Sequence, residues 1–249
     1  MSGSPPLVVC FQDKSVVIID KPAGVHTAPL RPHETDNLLA RVIEMYPEVA
    51  ALPGLKTVEP GLVHRLDRDT SGLVVVARTA EAFAALRAAF TEETVVKRYR
   101  ACCACGEAAR LPVSVETRFA PYGRGRSMVR VVLPDERSRR RLRLASAESY
   151  RTEAAWIAGT EGRALIEARI TRGFRHQIRA HLSFLGLPIF GDPLYGTAVP
   201  AGCAPRMYLH AWRIEMPHPI TGRSLVVESP APPQFAALID GAKKEGEYE

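Results

Sequence analysis

The sequence predicts an α+β protein: a mixed, largely antiparallel central sheet flanked by helices. Many short strand-like segments and few helical ones follow each other without regular alternation, which disfavours a doubly wound sheet. LVVVA (73–77) is apolar throughout, as in a strand buried on both faces. Neither GxGxxG nor GxxxxGK[ST] occurs, so the usual nucleotide-cofactor loops are missing.

In chain order, VVIID (16–20) reads as a strand broken by Pro22 and Gly24 into a turn. Asp36 is placed to cap a helix from about Asn37 to Tyr46, stopped by Pro47. A Pro- and Gly-bearing loop over 52–61 leads into HRLDRDTSG and the buried strand, after which Thr79 caps AEAFAALRAAF. KRYRACCAC reads as a strand with Lys97, Tyr99 and Ala101 on one side and Arg98, Arg100 and Cys102 on the other. Between 112 and 144, VSVETRF and MVRVVL are interrupted by arginine-rich turns, as in a basic hairpin or a long insertion. EAAWIA and ALIEARI form a hairpin across GTEG. Phe174 to Leu185 fits a helix with Phe174, Ile178, Leu182 and Leu185 on one stripe and Arg172, His176 and Arg179 opposite, closed by Gly186 and Pro188. Two late strands, YLHAWRIEM and SLVVES, precede the helix PPQFAALI and a frayed tail. One domain over 1–249 is expected, with a core over about 11–230, a basic insertion at about 122–144 and a charged tail at about 241–249.

Composition narrows the function classes. A chain of 249 residues with 46% hydrophobic and 24% charged residues is ordinary for a globular protein. No apolar stretch reaches membrane-spanning length, and the N-terminus lacks the features of a secretory signal, so a cytoplasmic address is expected. Five scattered or bunched cysteines suit reduced thiols packed in strands better than a disulfide or zinc framework. The net charge of +6 is concentrated: 124–143 carries eight arginines against Asp135 and Glu136. Guanidinium forks in such density match a phosphate backbone, although a solvated charged loop reads equally well from the residues alone.

The densest polar cluster is HRLDRDTSG. In an extended chain Arg65 and Asp67 share one side while Leu66 points to the core; Asp69, Thr70 and Ser71 can bond local backbone, and Gly72 supplies a permissive φ. The same residues also describe a structural turn with a surface ion pair. A second cluster is RGFRHQIRAHL, whose arginines would need a facing acid if buried. His64, His176 and His181 lack the spacing of a metal set.

These residues carry a resemblance. HRLDRDTSGL is similar to the active-site motif of RluA-type RNA pseudouridine synthases, and DKSVVIIDKPAGV, KRYRA and RHQIRAHLSFLGLPIFGDPLYG resemble that family in the same order, from about Asp13 to Arg213. The resemblance implies the pseudouridine synthase fold, with the active-site cleft across the sheet, and isomerisation of uridine in RNA, ribosomal RNA first and transfer RNA second. It implies Asp67 as catalytic aspartate, Tyr99 against the target base and Arg179 as the aspartate's partner. It also implies Arg65 as the side chain that enters the RNA when the uridine leaves the stack, and Ile178 as a wall of the pocket. His64, Arg172 and Arg175, and Arg139, Arg140 and Arg141 of the basic segment, are counted with the RNA-contacting residues. The implied enzyme needs no metal or nucleotide cofactor, has RNA as its partner, makes no membrane contact and acts as a monomer.

Two departures stand out. Where the family shows TGRxHQIR this chain has TRGFRHQIR, with Phe174 in place of arginine, so Arg175 or Arg172 is a rival partner for Asp67. No S4-like module of the kind that often precedes this domain is expected before the first motif, and RNA affinity is expected from the catalytic domain and its basic insertion.

Overall fold

The computed structural model describes residues 7–31, 34–106, 111–160 and 162–245, the side chains of 241–245 excepted. Its elements in chain order are β1 (Val8–Gln12), β2 (Val16–Lys21), α1 (Leu38–Met45), β3 (Ser71–Ala77), α2 (Ala80–Thr91), β4 (Val96–Cys105), β5 (Val113–Tyr122), β6 (Met128–Val132), α3 (Arg139–Leu144), β7 (Tyr150–Thr160), β8 (Gly162–Ile170), α4 (Gln177–Phe184), β9 (Leu209–Pro217), β10 (Ser224–Glu228) and α5 (Pro233–Glu245). No described helix is long and apolar enough to cross a membrane. The chain divides into two compact units, 1–97 with 210–230, and 98–209 with 231–249.

In the first unit the strands run in the order β1, β2, β3, β9, β10. β1 to β3 pair antiparallel, β3 pairs β9 in parallel, and β10 returns antiparallel on β9. β3 is buried at all seven positions. Leu73, Val75 and Ala77 pack with Val16 and Ile18 against Ala82, Leu86 and Ala89 of α2, while Val74 and Val76 are buried on the other face. Thr79 accepts from the Ala82 N–H, so this cap forms as the sequence indicates. The cap of α1 is Asn37, not Asp36. The buried Asn37 accepts from the Ala40 N–H and donates to the Glu34 carbonyl, whereas Asp36 is exposed and pairs with Arg41 at 3.3 Å.

In the second unit the order is β4, β8, β7, β5, β6. The β7–β8 pair is the expected hairpin, with β7 longer at both ends and β8 longer at its start, and β5 joins β7 and β6 antiparallel. Along β4, Lys97, Tyr99 and Ala101 are buried while Arg98 and Arg100 reach Glu167 of β8, but Cys102 and Cys103 are both buried. Phe235, Leu238 and Ile239 of α5 are buried, and the helix packs on β7 and β8. It runs through Glu245, further than PPQFAALI suggested, and takes in the first half of the expected tail; 246–249 lie outside the described residues.

The basic segment is the β5–β6 hairpin followed by α3, a short helix in place of the expected turns, whose cap Ser138 accepts from the Arg141 N–H. Four of its six residues are arginine, so hydrophobic periodicity carries no signal there. The late helix also begins later than its stripe indicated. His176 takes a left-handed φ of 56° and the Gln177 side chain accepts from the Phe174 N–H, so α4 starts at Gln177 and of the three polar positions only Arg179 is helical. Its end is as expected: Gly186, at φ 75°, donates to the Ser183 carbonyl and Leu187 to that of Leu182, a Schellman closure.

Candidate active site

The first unit holds HRLDRDTSG between Leu62, which bridges to Val76, and β3. The loop alternates as an extended chain must: Arg65 exposed, Leu66 buried, Asp67 half-buried. Its backbone is fixed on both sides of Asp67. The Thr27 hydroxyl donates to the Leu66 carbonyl at 2.8 Å and accepts from the Leu66 N–H at 3.2 Å. The Arg68 carbonyl accepts from the Gly24 N–H and from Lys21 Nζ, both at 2.9 Å, and Lys21, wholly buried, also donates to Pro22 and Val25. The Thr70 N–H closes the turn onto the Asp67 carbonyl. A carboxylate held between anchored neighbours needs little reorganisation to act.

Two further braces secure the C-terminal end of the loop. The Ser71 hydroxyl lies 2.9 Å from His210 Nδ1, and His210 Nε2 lies 3.0 Å from the Ser229 carbonyl. A carbonyl only accepts, so Nε2 carries the proton and Nδ1 receives the Ser71 hydroxyl. Gly72, at φ 115°, brings β3 against β9 so closely that a Cβ would lie 2.3 Å from the Ala211 carbonyl oxygen. Only glycine fits there.

Arg65 donates to Glu59 at 2.7 Å; the arginine is 46% exposed and the carboxylate 2%. Its reach into solvent is thus steered from a buried acid that sequence reasoning missed. His64 turns the other way. Its Nε2 accepts from the Val75 N–H at 3.0 Å and its ring stacks on Phe90 at 5.1 Å. Burial, aided by the charge of Lys97, pushes its pKa down to about 3.

The second unit holds the remaining predicted residues. Tyr99 is buried on β4 and Ile178 on α4. Arg179, 5% exposed, grips Asp192 through Nε and Nη2, each 2.7 Å from one carboxylate oxygen. Burial raises the Asp192 pKa, but Arg179 and the N–H groups of Leu194 and Tyr195 outweigh it and hold the carboxyl below its ordinary range. The loop that presents Asp192 turns at Gly191, φ 73°, where a Cβ would strike the Arg206 carbonyl at 1.9 Å. An acid facing a buried arginine is what the sequence called for; Asp192, thirteen residues on in GDPLYG, was not singled out.

The altered stretch RGFRHQ has a packing explanation. Phe174 stacks on Phe119 at 5.1 Å and meets Tyr150 at 4.8 Å, filling a small core with Val129 and Ala180. An arginine at 174 would put a charge into that cluster. Arg175 donates to the carbonyls of Arg126 and Met128, tying the start of α4 to the β5–β6 hairpin. Arg172 lies 3.5 Å from Glu148 and over the Tyr150 ring. His181 sits between the hydroxyls of Thr117 and Thr152, and burial lowers its pKa to about 4. Arg139, Arg140 and Arg141 are exposed on α3.

The model of the family described as RNA pseudouridylate synthase matches residues 15–184. Ribosomal large subunit pseudouridine synthase D of Nitrosomonas europaea is 34% identical over 96% of this chain and 66% of its own length. The protein of the same name from Pseudomonas aeruginosa is 32% identical over 97% of this chain and 73% of its own. The chain thus spans about two thirds to three quarters of the length of these relatives. Among solved structures, human RNA pseudouridylate synthase domain containing 4 superposes with a TM-score of 0.69 at 23% identity, over 93% of this chain and 91% of that one. That likeness establishes the pseudouridine synthase fold, and the family match spans well over half of the sequence: this chain belongs to the RNA pseudouridylate synthase family, of the RluA type.

Proposed function

We propose that this chain converts specific uridines of ribosomal RNA to pseudouridine, with Asp67 as the catalytic carboxylate. The observation that carries this reading is the braced loop: an aspartate of HRLDRDTSGL whose two neighbours are each tied by buried side chains, Thr27 and Lys21. The two bacterial relatives named as ribosomal large subunit synthases support ribosomal RNA as substrate.

The reaction balances without a co-reactant. In one route Asp67 attacks C1′ as the N1–C1′ bond breaks and is displaced again when, after the uracil has turned, C5 bonds to C1′; in the other it removes the C2′ proton as that bond breaks and returns it to C2′ as C5 bonds to C1′. The C5 proton is then lost and N1 ends protonated, so substrate and product are isomers. A uridine within folded RNA must leave its stack first, and a side chain that fills the vacancy lowers the cost. Arg65 takes that role, extended into solvent and anchored by Glu59. Tyr99 provides an aromatic face for the base, which keeps it in place once detached. Arg179 is favoured over Arg175 and Arg172 as the guanidinium serving Asp67. It is the one held rigid and buried on α4, whereas Arg175 is bonded to hairpin carbonyls and Arg172 lies against Glu148 and Tyr150. His64 braces β3, and Arg139, Arg140 and Arg141 contact RNA phosphates.

The test is conversion itself. Purified protein is incubated with unmodified ribosomal RNA and, separately, with transfer RNA transcripts, and pseudouridine is mapped in each. Conversion at a discrete ribosomal site is expected; conversion of transfer RNA alone would replace the substrate, and none in either would remove the reading.

A further inference from the structure

The second unit contains a pocket to which, apart from the phosphate contacts of Arg140 and Arg141, none of these roles extends. It lies between the β5–β6 hairpin and α3, and its volume of about 430 Å³ falls in the range of small-ligand sites, roughly 300–1,000 Å³. Tyr122, Arg126, Arg130, Ser138, Arg140 and Arg141 line it, four guanidiniums with no carboxylate among the lining residues. Arg141 is paired with Glu136 at 3.0 Å; among the described residues no acid lies within ion-pair distance of Arg126, Arg130 or Arg140. Like charges gathered around a concavity repel one another, and an anion relieves that repulsion.

The walls favour one kind of anion. The Arg130 guanidinium lies 4.1 Å over the Tyr122 ring, so a flat cationic and aromatic surface stands beside free guanidinium forks. A planar platform next to phosphate donors is what an unpaired nucleotide requires: the base stacks and the phosphate takes bidentate hydrogen bonds. The hairpin is also held in shape. The Val129 N–H donates to the Tyr195 hydroxyl, and Arg175 binds the carbonyls of Arg126 and Met128.

We infer that this pocket holds one unpaired RNA nucleotide other than the uridine that reacts, with its base on the Arg130–Tyr122 stack and its phosphate on Arg126, Arg140 and Arg141. The inference rests on the reading of the chain as an RNA-modifying enzyme and deepens it. It makes RNA with an unpaired stretch a better ligand than a continuous duplex.

The test measures binding of the full chain, without turnover, to a labelled mixed-sequence single-stranded oligoribonucleotide and to a duplex of the same length. Tyr122→Leu is expected to weaken single-strand binding about fivefold or more with the salt slope retained, and to leave duplex binding unchanged. Arg140→Gln is expected to reduce the single-strand salt slope by about 0.7. On the unaltered protein, an oligonucleotide carrying 4-thiouridine should crosslink within 120–130. Unchanged single-strand affinity in a folded Tyr122→Leu protein, equal weakening of duplex binding, displacement of RNA by polyglutamate as effectively as by unlabelled RNA, or no adduct in 120–130 would each overturn the inference. If uridine conversion stands while these results go against the pocket, the pocket alone is wrong; if conversion is absent, the reading of function has failed instead.

Discussion

Arg179 and Asp192 form a bidentate pair with both bonds at 2.7 Å, in which the arginine is 5% exposed and the carboxylate not at all. A pair this dry is a constraint on shape: it fixes where the α4 guanidinium points, and removal of one partner leaves a buried charge short of its counter-ion. Asp192→Asn should cost roughly 3 kcal/mol and lower Tm by roughly 6–12 °C. The acid limb of stability should change as well. The folded-state pKa of Asp192 lies below its unfolded value, so its contribution is complete above about pH 4 and is lost as pH falls through the folded value. Asp13, held at about 2 despite partial burial by the Ser15 and Val16 N–H groups, the Ser15 hydroxyl and His218, behaves likewise. Urea midpoints should therefore decline between about pH 4 and pH 2, less steeply in Asp192→Asn; parallel declines would contradict the assignment.

Thr27 is expected to act on catalysis through Asp67 without touching the substrate. Thr27→Val leaves the Leu66 carbonyl and N–H without their partner in a buried setting, a loss of about 1–3 kcal/mol. If the loop relaxes, kcat should fall about tenfold or more while KM stays within about twofold, and Thr27→Ser should restore it. A fall in Tm with kcat unchanged would make Thr27 a stability residue only.

Much of this was legible in short-range pattern. The burial of Leu73 to Ala77 in β3, the Thr79 cap and the exposed, buried, half-buried order of Arg65, Leu66 and Asp67 follow from an unbroken apolar run, from local hydrogen-bond chemistry and from a period of two. The braces were not legible. Thr27 lies 39 residues from Leu66 and Lys21 lies 47 from Arg68, and a single polar residue in a turn gives no sign of a partner that far along the chain. The start of α4 was misplaced for a different reason: the apolar stripe continues back to Phe174, but Phe174 is apolar because it packs on Phe119, and His176 breaks the helix in between. Arginine-rich α3 had no period to read.

The exposed arginines of α3 give a prediction read in salt. Changing Arg139, Arg140 and Arg141 together to Gln should weaken RNA binding and flatten its dependence on salt concentration by about 0.7–0.9 for each phosphate no longer neutralised. An unchanged slope would mean that α3 is a solvated basic face.

The central claim is the role of Asp67, and Asp67→Asn tests it most directly because the amide keeps the size of the side chain and removes its charge. Both proteins are assayed for pseudouridine formation in the ribosomal RNA substrate and for RNA affinity. The expected result is loss of conversion to background with affinity within about threefold of the unaltered chain, since phosphate contacts carry most of the binding. Conversion by Asp67→Asn at the rate of the unaltered protein would contradict the account.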